Sequence, residues 1–213
     1  MENQQNELKT GTTTLGIVCK DGLVIAADKR VTSGYMIAAR GVDKIIKIND
    51  DIAVTIAGTV SDIQLISKII RAELKLKGIK TGKRVTIKEA ANLLAGIVYQ
   101  NIRSFSMIPG ITHFIVAGRD NKGIHMYDLS PDGSILEVDD FVSSGSGSTF
   151  VYGILEDEYK KNISIKEGVD LAKRAVFAAT KRDIASGNGI DVAVITEKGI
   201  EFVFHQWLDT KLG

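Results

Sequence analysis

Blocks of strand period, interrupted twice by pairs of helix-period segments, constrain the fold of this chain most. Thr13 to Lys20 places Leu15, Ile17 and Cys19 at every second position and reads as a strand. Asp21-Gly22 is a hairpin turn, and Leu23 to Ala27 is a second strand, nearly all apolar and so buried on both faces. The charges of Asp28-Lys29-Arg30 break that run. Ile45 to Ile48 and Ile52 to Ala57 form another pair around Asn49-Asp50-Asp51. The period then changes. Ile63, Leu65, Ile66, Ile69, Ile70 and Leu74 fall at helical spacing from Ser61 to Leu76, with Ser61 as the N-cap and Gly78 as the stop. A second helix runs from about Thr86 to Phe105, opens on the capping box Thr86-Ile-Lys-Glu89, and is followed by Pro109-Gly110. Strands return at Phe114 to Gly118, Ile124 to Leu129 and Ile135 to Val138. Helices follow at Thr149 to Tyr159 and from Ser164 to Arg182, the latter behind the capping box Ser164-Ile-Lys-Glu167. Val192 to Thr196 and Ile200 to Phe204 close the chain around Lys198-Gly199. Strand-helix-strand alternation is scarce. The order predicts a one-domain, layered α+β fold in which each helix pair covers one face of antiparallel strands.

The 213 residues suffice for a sizeable core, and a net charge of +1 points to no nucleic-acid partner. No apolar run reaches the length of a membrane span, and the polar leader Met1 to Gly11 is no secretory signal. The single cysteine, Cys19, excludes an internal disulfide and fits a reducing compartment. Its place in the alternation argues for a buried strand position. A soluble, intracellular protein is expected.

Several chemistries find little support. His113, His125 and His205 lie far apart without ligand spacing, so no metal site is expected. No Gly-x-Ser-x-Gly elbow follows a strand, and Gly145-Ser-Gly-Ser is a weak phosphate loop. The junction Gly11-Thr12-Thr13-Thr14 remains. Read locally, it is a polar tail entering a threonine-edged strand. Read chemically, a cut between Gly11 and Thr12 would give Thr12 a free amine beside its own hydroxyl, a known way to activate that weak nucleophile. Such an amine needs a cation nearby to stay neutral. Asp28, ending a buried strand, would need a cation too, and Lys44 is its natural partner. Gly58 ends a strand where a backbone N–H could meet a substrate oxyanion.

Thr10-Gly-Thr-Thr-Thr-Leu-Gly16, Ala26-Ala-Asp-Lys-Arg-Val-Thr32, Lys44, Thr55-Ile-Ala-Gly58, Gly145-Ser-Gly-Ser148 with Tyr152-Gly153, Lys181-Arg-Asp183 with Ala185-Ser-Gly187, and Ile190-Asp-Val-Ala-Val-Ile195 occur in this order across nearly the whole chain. In these motifs the sequence resembles proteasome β subunits of the archaeal type, members of the N-terminal nucleophile hydrolases. The resemblance implies a four-layer αββα sandwich of two antiparallel sheets flanked by helix pairs. It implies a propeptide at residues 1–11, a catalytic domain at 12–213, and self-cleavage between Gly11 and Thr12. Thr12 would be the nucleophile, with Asp28 and Lys44 beside it and Gly58 as oxyanion donor. Ser146, Asp183 and Ser186 would hold the threonine amine. Val31, Val42, Ile46, Ile56 and Val60 map to the substrate pocket, with Gln64 deeper, and favour cleavage after apolar or aromatic residues.

No cofactor is implied. The implied partners are other β subunits in a seven-membered ring, α-subunit rings, an ATP-driven unfoldase and unfolded protein substrates, in the cytoplasm. Two other readings stand: a structural ring subunit that keeps its leader, and an N-terminal nucleophile amidohydrolase acting on small substrates outside any ring.

Overall fold

The computed structural model describes residues 11–106 and 110–208. The leader up to Thr10, Pro109 and the last five residues lie outside the described residues.

Two sheets and a separate hairpin carry the strands. The first sheet is β10 (Phe141–Ser144), β1 (Thr14–Cys19), β2 (Gly22–Asp28), β11 (Gly189–Thr196) and β12 (Gly199–Trp207), in that spatial order. The second is β5 (Ile45–Lys47), β6 (Ile52–Gly58), β7 (Thr112–Asp120), β8 (Gly123–Leu129) and β9 (Ile135–Glu137). β3 (Val31–Ser33) pairs only with β4 (Met36–Ala39). Every described pairing is antiparallel. The helices are α1 (Val60–Thr81), α2 (Ile87–Arg103), α3 (Ser148–Glu158) and α4 (Ile165–Thr180).

The layers follow from the period of two. In β2, Val24 and Ala26 pack with Leu15 and Ile17 against Leu155, Leu171, Ala175 and Val176 of α3 and α4. Leu23, Ile25 and Ala27 point the other way, into a seam with Ala53, Ile115 and Ala117 of the second sheet. The far face of that sheet (Val54, Ile56, Phe114 and Val116) meets Ile66, Ile70, Leu94 and Val98 of α1 and α2. The architecture is therefore helix, sheet, sheet, helix. The central strands are covered on both faces, which is why β2 reads as a continuous apolar run, while β12 at the edge stays largely exposed. Alanines on the inter-sheet side let the sheets approach, and burying a side chain such as Ile25 contributes roughly 1.5–3 kcal/mol.

The capping boxes at Thr86 and Ser164 form as the sequence predicts. The ends of α1 differ. Thr59, not Ser61, is the N-cap residue, and the helix runs through Gly78 to stop at Gly82, which is left-handed at φ 64°. An interior glycine costs a helix only about 1 kcal/mol, so Gly78 weakens α1 without ending it. The Lys198-Gly199 turn is also displaced by one residue. Thr196 pairs with Gly199, so Glu197-Lys198 is the loop and Gly199 opens the return strand at φ 122°. β3, β4 and β10 were not apparent in the sequence, each having only three or four residues.

Candidate active site

Thr12 and Thr13 lead into β1 at one end of the first sheet, where segments from several elements converge. Thr12 is only 5% exposed. Its hydroxyl donates to the carbonyl oxygen of Gly11 at 2.7 Å. Its N–H donates to Ser146 Oγ at 3.3 Å. Ser146 in turn donates to Asp183 Oδ2 at 2.6 Å. Ser186 donates to the same oxygen at 2.5 Å and sits 2.6 Å from Thr13 Oγ1. Since each serine has one proton and gives it to Asp183, both threonines must donate toward the serines. Asp183 thus anchors two converging relays, one ending on Thr12 N and the other on the Thr13 hydroxyl.

The loop before α3 closes over this junction. Gly147 N–H donates to Thr12 O at 3.3 Å. A Cβ on Gly145 would fall 2.0 Å from Thr12 O, and one on Gly147 would fall 1.9 Å from Thr13 Oγ1. The glycines that look like a weak phosphate loop are there because the Thr12-Thr13 backbone lies against them. Gly11 is equally confined, as its Cβ would meet the Ala185 Cβ at 1.8 Å.

Asp28 ends β2 with no exposed surface. Oδ1 accepts from Thr13 N–H at 2.9 Å and from Lys44 Nζ at 2.6 Å. Oδ2 accepts from the N–H groups of Arg30 at 2.9 Å and Gly187 at 2.8 Å. Four donors satisfy the buried carboxylate and tie β1, β2, the start of β5 and the loop before β11 together. Lys44 is 3% exposed. Burial pushes its ammonium below the ordinary lysine value, and the Asp28 carboxylate offsets only part of that. The Lys44 carbonyl accepts from Ile56 N–H at 3.0 Å, so β6 also holds this lysine. Two residues further on, Gly58 adopts φ 125°, and a Cβ there would strike Ile111 O at 2.1 Å. Only glycine fits.

The hydrogen bonds therefore join Thr12, Ser146, Asp183 and Ser186 in one network and Asp28 with Lys44 in a second. Thr13 donates into both. The pocket positions differ among themselves. Val31, Val42, Ile46 and Val60 are half-buried. Ile56 is buried in the core under α1 and α2, with Ile46 packed on it, so these two also serve the core. Gln64, expected deeper than the rest, is exposed on α1.

Residues absent from the sequence reading complete the site. Arg30 Nε donates to Asn188 Oδ1 at 2.8 Å and its Nη1 to Ile184 O at 2.8 Å, bracing the loop that carries Asp183 and Ser186. Lys29, also 3% exposed, binds Asp191 at 2.6 Å and Asp43 at 2.7 Å. Asp43 immediately precedes Lys44. The run Asp28-Lys29-Arg30 was the available signal: three charges ending an apolar strand must each find a buried partner. Cys19 is inert, its thiol pushed up to about 12 by burial and then by Asp21 and Glu167. A cleft of about 610 Å³ lined by Lys77, Arg84, Glu89 and Arg119 shares no residue with the Thr12 cluster. Among the described residues, no helix is long and apolar enough to cross a membrane, and no group of acidic, His and Cys side chains is placed to hold a metal ion.

Residues 8–195 match the sequence profile of the family described as Proteasome subunit. Similar proteins include three described as Proteasome subunit beta. The one from Ferroglobus placidus is 45% identical over 188 residues, covering 88% of this chain and 88% of the relative. That from Archaeoglobus profundus is 43% identical, covering 92% and 89%. That from Methanothermobacter thermautotrophicus is 44% identical, covering 92% and 90%.

Proposed function

Because the chain belongs to the proteasome β-subunit family, we propose that it is a threonine endopeptidase of the core particle that activates itself by cleaving between Gly11 and Thr12. The observation that carries this reading is the pair of contacts at Thr12: its hydroxyl lies 2.7 Å from the Gly11 carbonyl oxygen, and its nitrogen is tethered through Ser146 to Asp183.

In the leader-bearing chain the Thr12 nitrogen is an amide and cannot act as a base. Thr12 Oγ attacks the Gly11 carbonyl carbon; the C–N bond breaks as the C–O bond forms, and the hydroxyl proton passes to the nitrogen. That shift frees the amine, and water then hydrolyses the ester, releasing the leader as its Gly11 carboxylate and restoring the hydroxyl. In the processed enzyme the same hydroxyl attacks a peptide carbonyl; the amine takes its proton and passes it to the leaving amine as the C–N bond breaks, and water then hydrolyses the acyl ester on Thr12 Oγ. Ser146 and Asp183 hold that amine where the amide was. Lys44, held by the Asp28 carboxylate that also binds Thr13 N–H, supplies the positive charge that keeps the amine neutral and lowers the proton affinity of the hydroxyl. The Gly58 N–H receives the oxyanion, a role whose loss typically costs about 3 kcal/mol.

The half-buried valines and Ile46, with Ile56 narrowing the base, support cleavage after apolar or aromatic residues. The chain would work in the cytoplasm in a seven-membered β ring between α rings, fed with unfolded proteins by an ATP-driven unfoldase. Intact-mass measurement tests the core of the proposal: the assembled wild-type protein should lack its first eleven residues, and Thr12→Ala should keep them and hydrolyse nothing. Retention of the leader by wild type would favour the structural-subunit reading instead. A free monomer on a sizing column would favour the amidohydrolase, and a preference for basic residues in a fluorogenic peptide panel would refute the apolar pocket.

A further inference from the structure

Gly11 has to be glycine for lack of space, and glycine carries the largest conformational freedom of any residue. Something must hold its carbonyl in place for attack. On the carbonyl side, that is the Thr12 hydroxyl at 2.7 Å. On the other side, Gly11 N–H donates to Thr32 Oγ1 at 3.1 Å, with both groups buried. Thr32 lies where the pairing of β3 with β4 slips between Val31 and Thr32. Irregularities of this kind re-aim a side chain. Thr32 is 4% exposed, between half-buried Val31 and exposed Ser33.

We propose that the Thr32 hydroxyl is a positioning group for leader release, clamping the Gly11 nitrogen so that the two free torsions of this glycine hold its carbonyl against Thr12 Oγ. The proposal rests on the self-cleavage reading. Thr32 takes no proton and forms no bond to carbon. The step it serves is the transfer of the Gly11 acyl group from Thr12 N to Thr12 Oγ, with the hydroxyl proton moving to nitrogen and water later releasing the Gly11 carboxylate. When the leader departs, Thr32 gives up this hydrogen bond.

The test is the rate of leader release in assembling protein, followed by intact mass, for wild type, Thr32→Val, Thr32→Ser and Thr12→Ala. Valine keeps the shape of threonine and removes the hydroxyl; serine keeps the hydroxyl and removes the methyl. The proposal expects Thr32→Val to release about tenfold more slowly, the scale of one lost hydrogen bond, and Thr32→Ser to stay near wild type. A packing role expects the reverse order. Wild-type release by Thr32→Val, or slow release by Thr32→Ser with normal release by Thr32→Val, overturns the proposal alone. Release by Thr12→Ala, or none by wild type, overturns the self-cleavage reading and the proposal with it.

Discussion

Lys29 and Lys44 stand on either side of the same strand ends, each 3% exposed and each bound to carboxylate, yet their surroundings act in opposite directions. Burial opposes both charges. At Lys29, hydrogen bonds to Asp191 and Asp43 outweigh burial, and its proton is held more tightly than usual. At Lys44, burial outweighs the Asp28 carboxylate, which also accepts three backbone N–H groups. The difference teaches that two lysines buried alike can have their charges held firmly or loosely, according to how many carboxylates each one meets. Lys29 is a fixed strut; Lys44 is a cation held by one buried carboxylate.

Lys44→Met should lower peptide hydrolysis by about 10³-fold; a similar loss from Lys29→Met would erase the distinction. Asp28→Asn leaves Lys44 without its counter-charge and should destabilise the fold by roughly 3–5 kcal/mol, measurable by denaturant unfolding. Lys29→Met should cost about 3 kcal/mol, the low end of that range, because Asp43 is 79% exposed and His205 Nδ1 remains 2.5 Å from Asp191.

The smallest expected effect is on alkaline stability. Lys29 binds its proton more tightly folded than unfolded, so its stabilisation is complete below the ordinary value of 10.5 and is lost as pH rises beyond it. Lys44 binds its proton less tightly folded, so the unfolded chain carries the extra proton below 10.5, and stability rises with pH across that interval. Urea unfolding between about pH 9 and 11 should therefore show a shallower alkaline fall for Lys29→Met and a steeper one for Lys44→Met.

Legibility in the sequence divides along the same physical line. The apolar layers were readable because periods of two and 3.6 are local properties. Thr86 and Ser164 announced their helices through residues three positions away. Thr12, Asp28 and Lys44 could be singled out from the residues themselves, but Ser146, Asp183 and Ser186 came only through motifs shared with known proteins, since nothing local in Ser146 says that it faces Thr12, 134 positions away. The charge run hinted that Lys29 and Arg30 needed partners, but which partners they meet, like the Thr32 clamp, lay beyond reach for the same reason. β3 was unreadable because three residues with one buried side chain carry no alternation. Gln64 shows the same limit, because an exposed helical position and a pocket floor look alike in sequence without the helix's orientation.

The span of the Thr12 network also sets a timetable. Asp183 and Ser186 come from the final sixth of the chain, and Gly187 secures Asp28. A nascent chain emerging amino terminus first would display Thr12 long before those residues exist. Its hydroxyl would meet the Gly11 carbonyl without the assembly that makes the encounter productive. If self-cleavage proceeds as proposed, completion of synthesis is built into its trigger, and a chain truncated before Asp183 carries Thr12 without the groups that hold it.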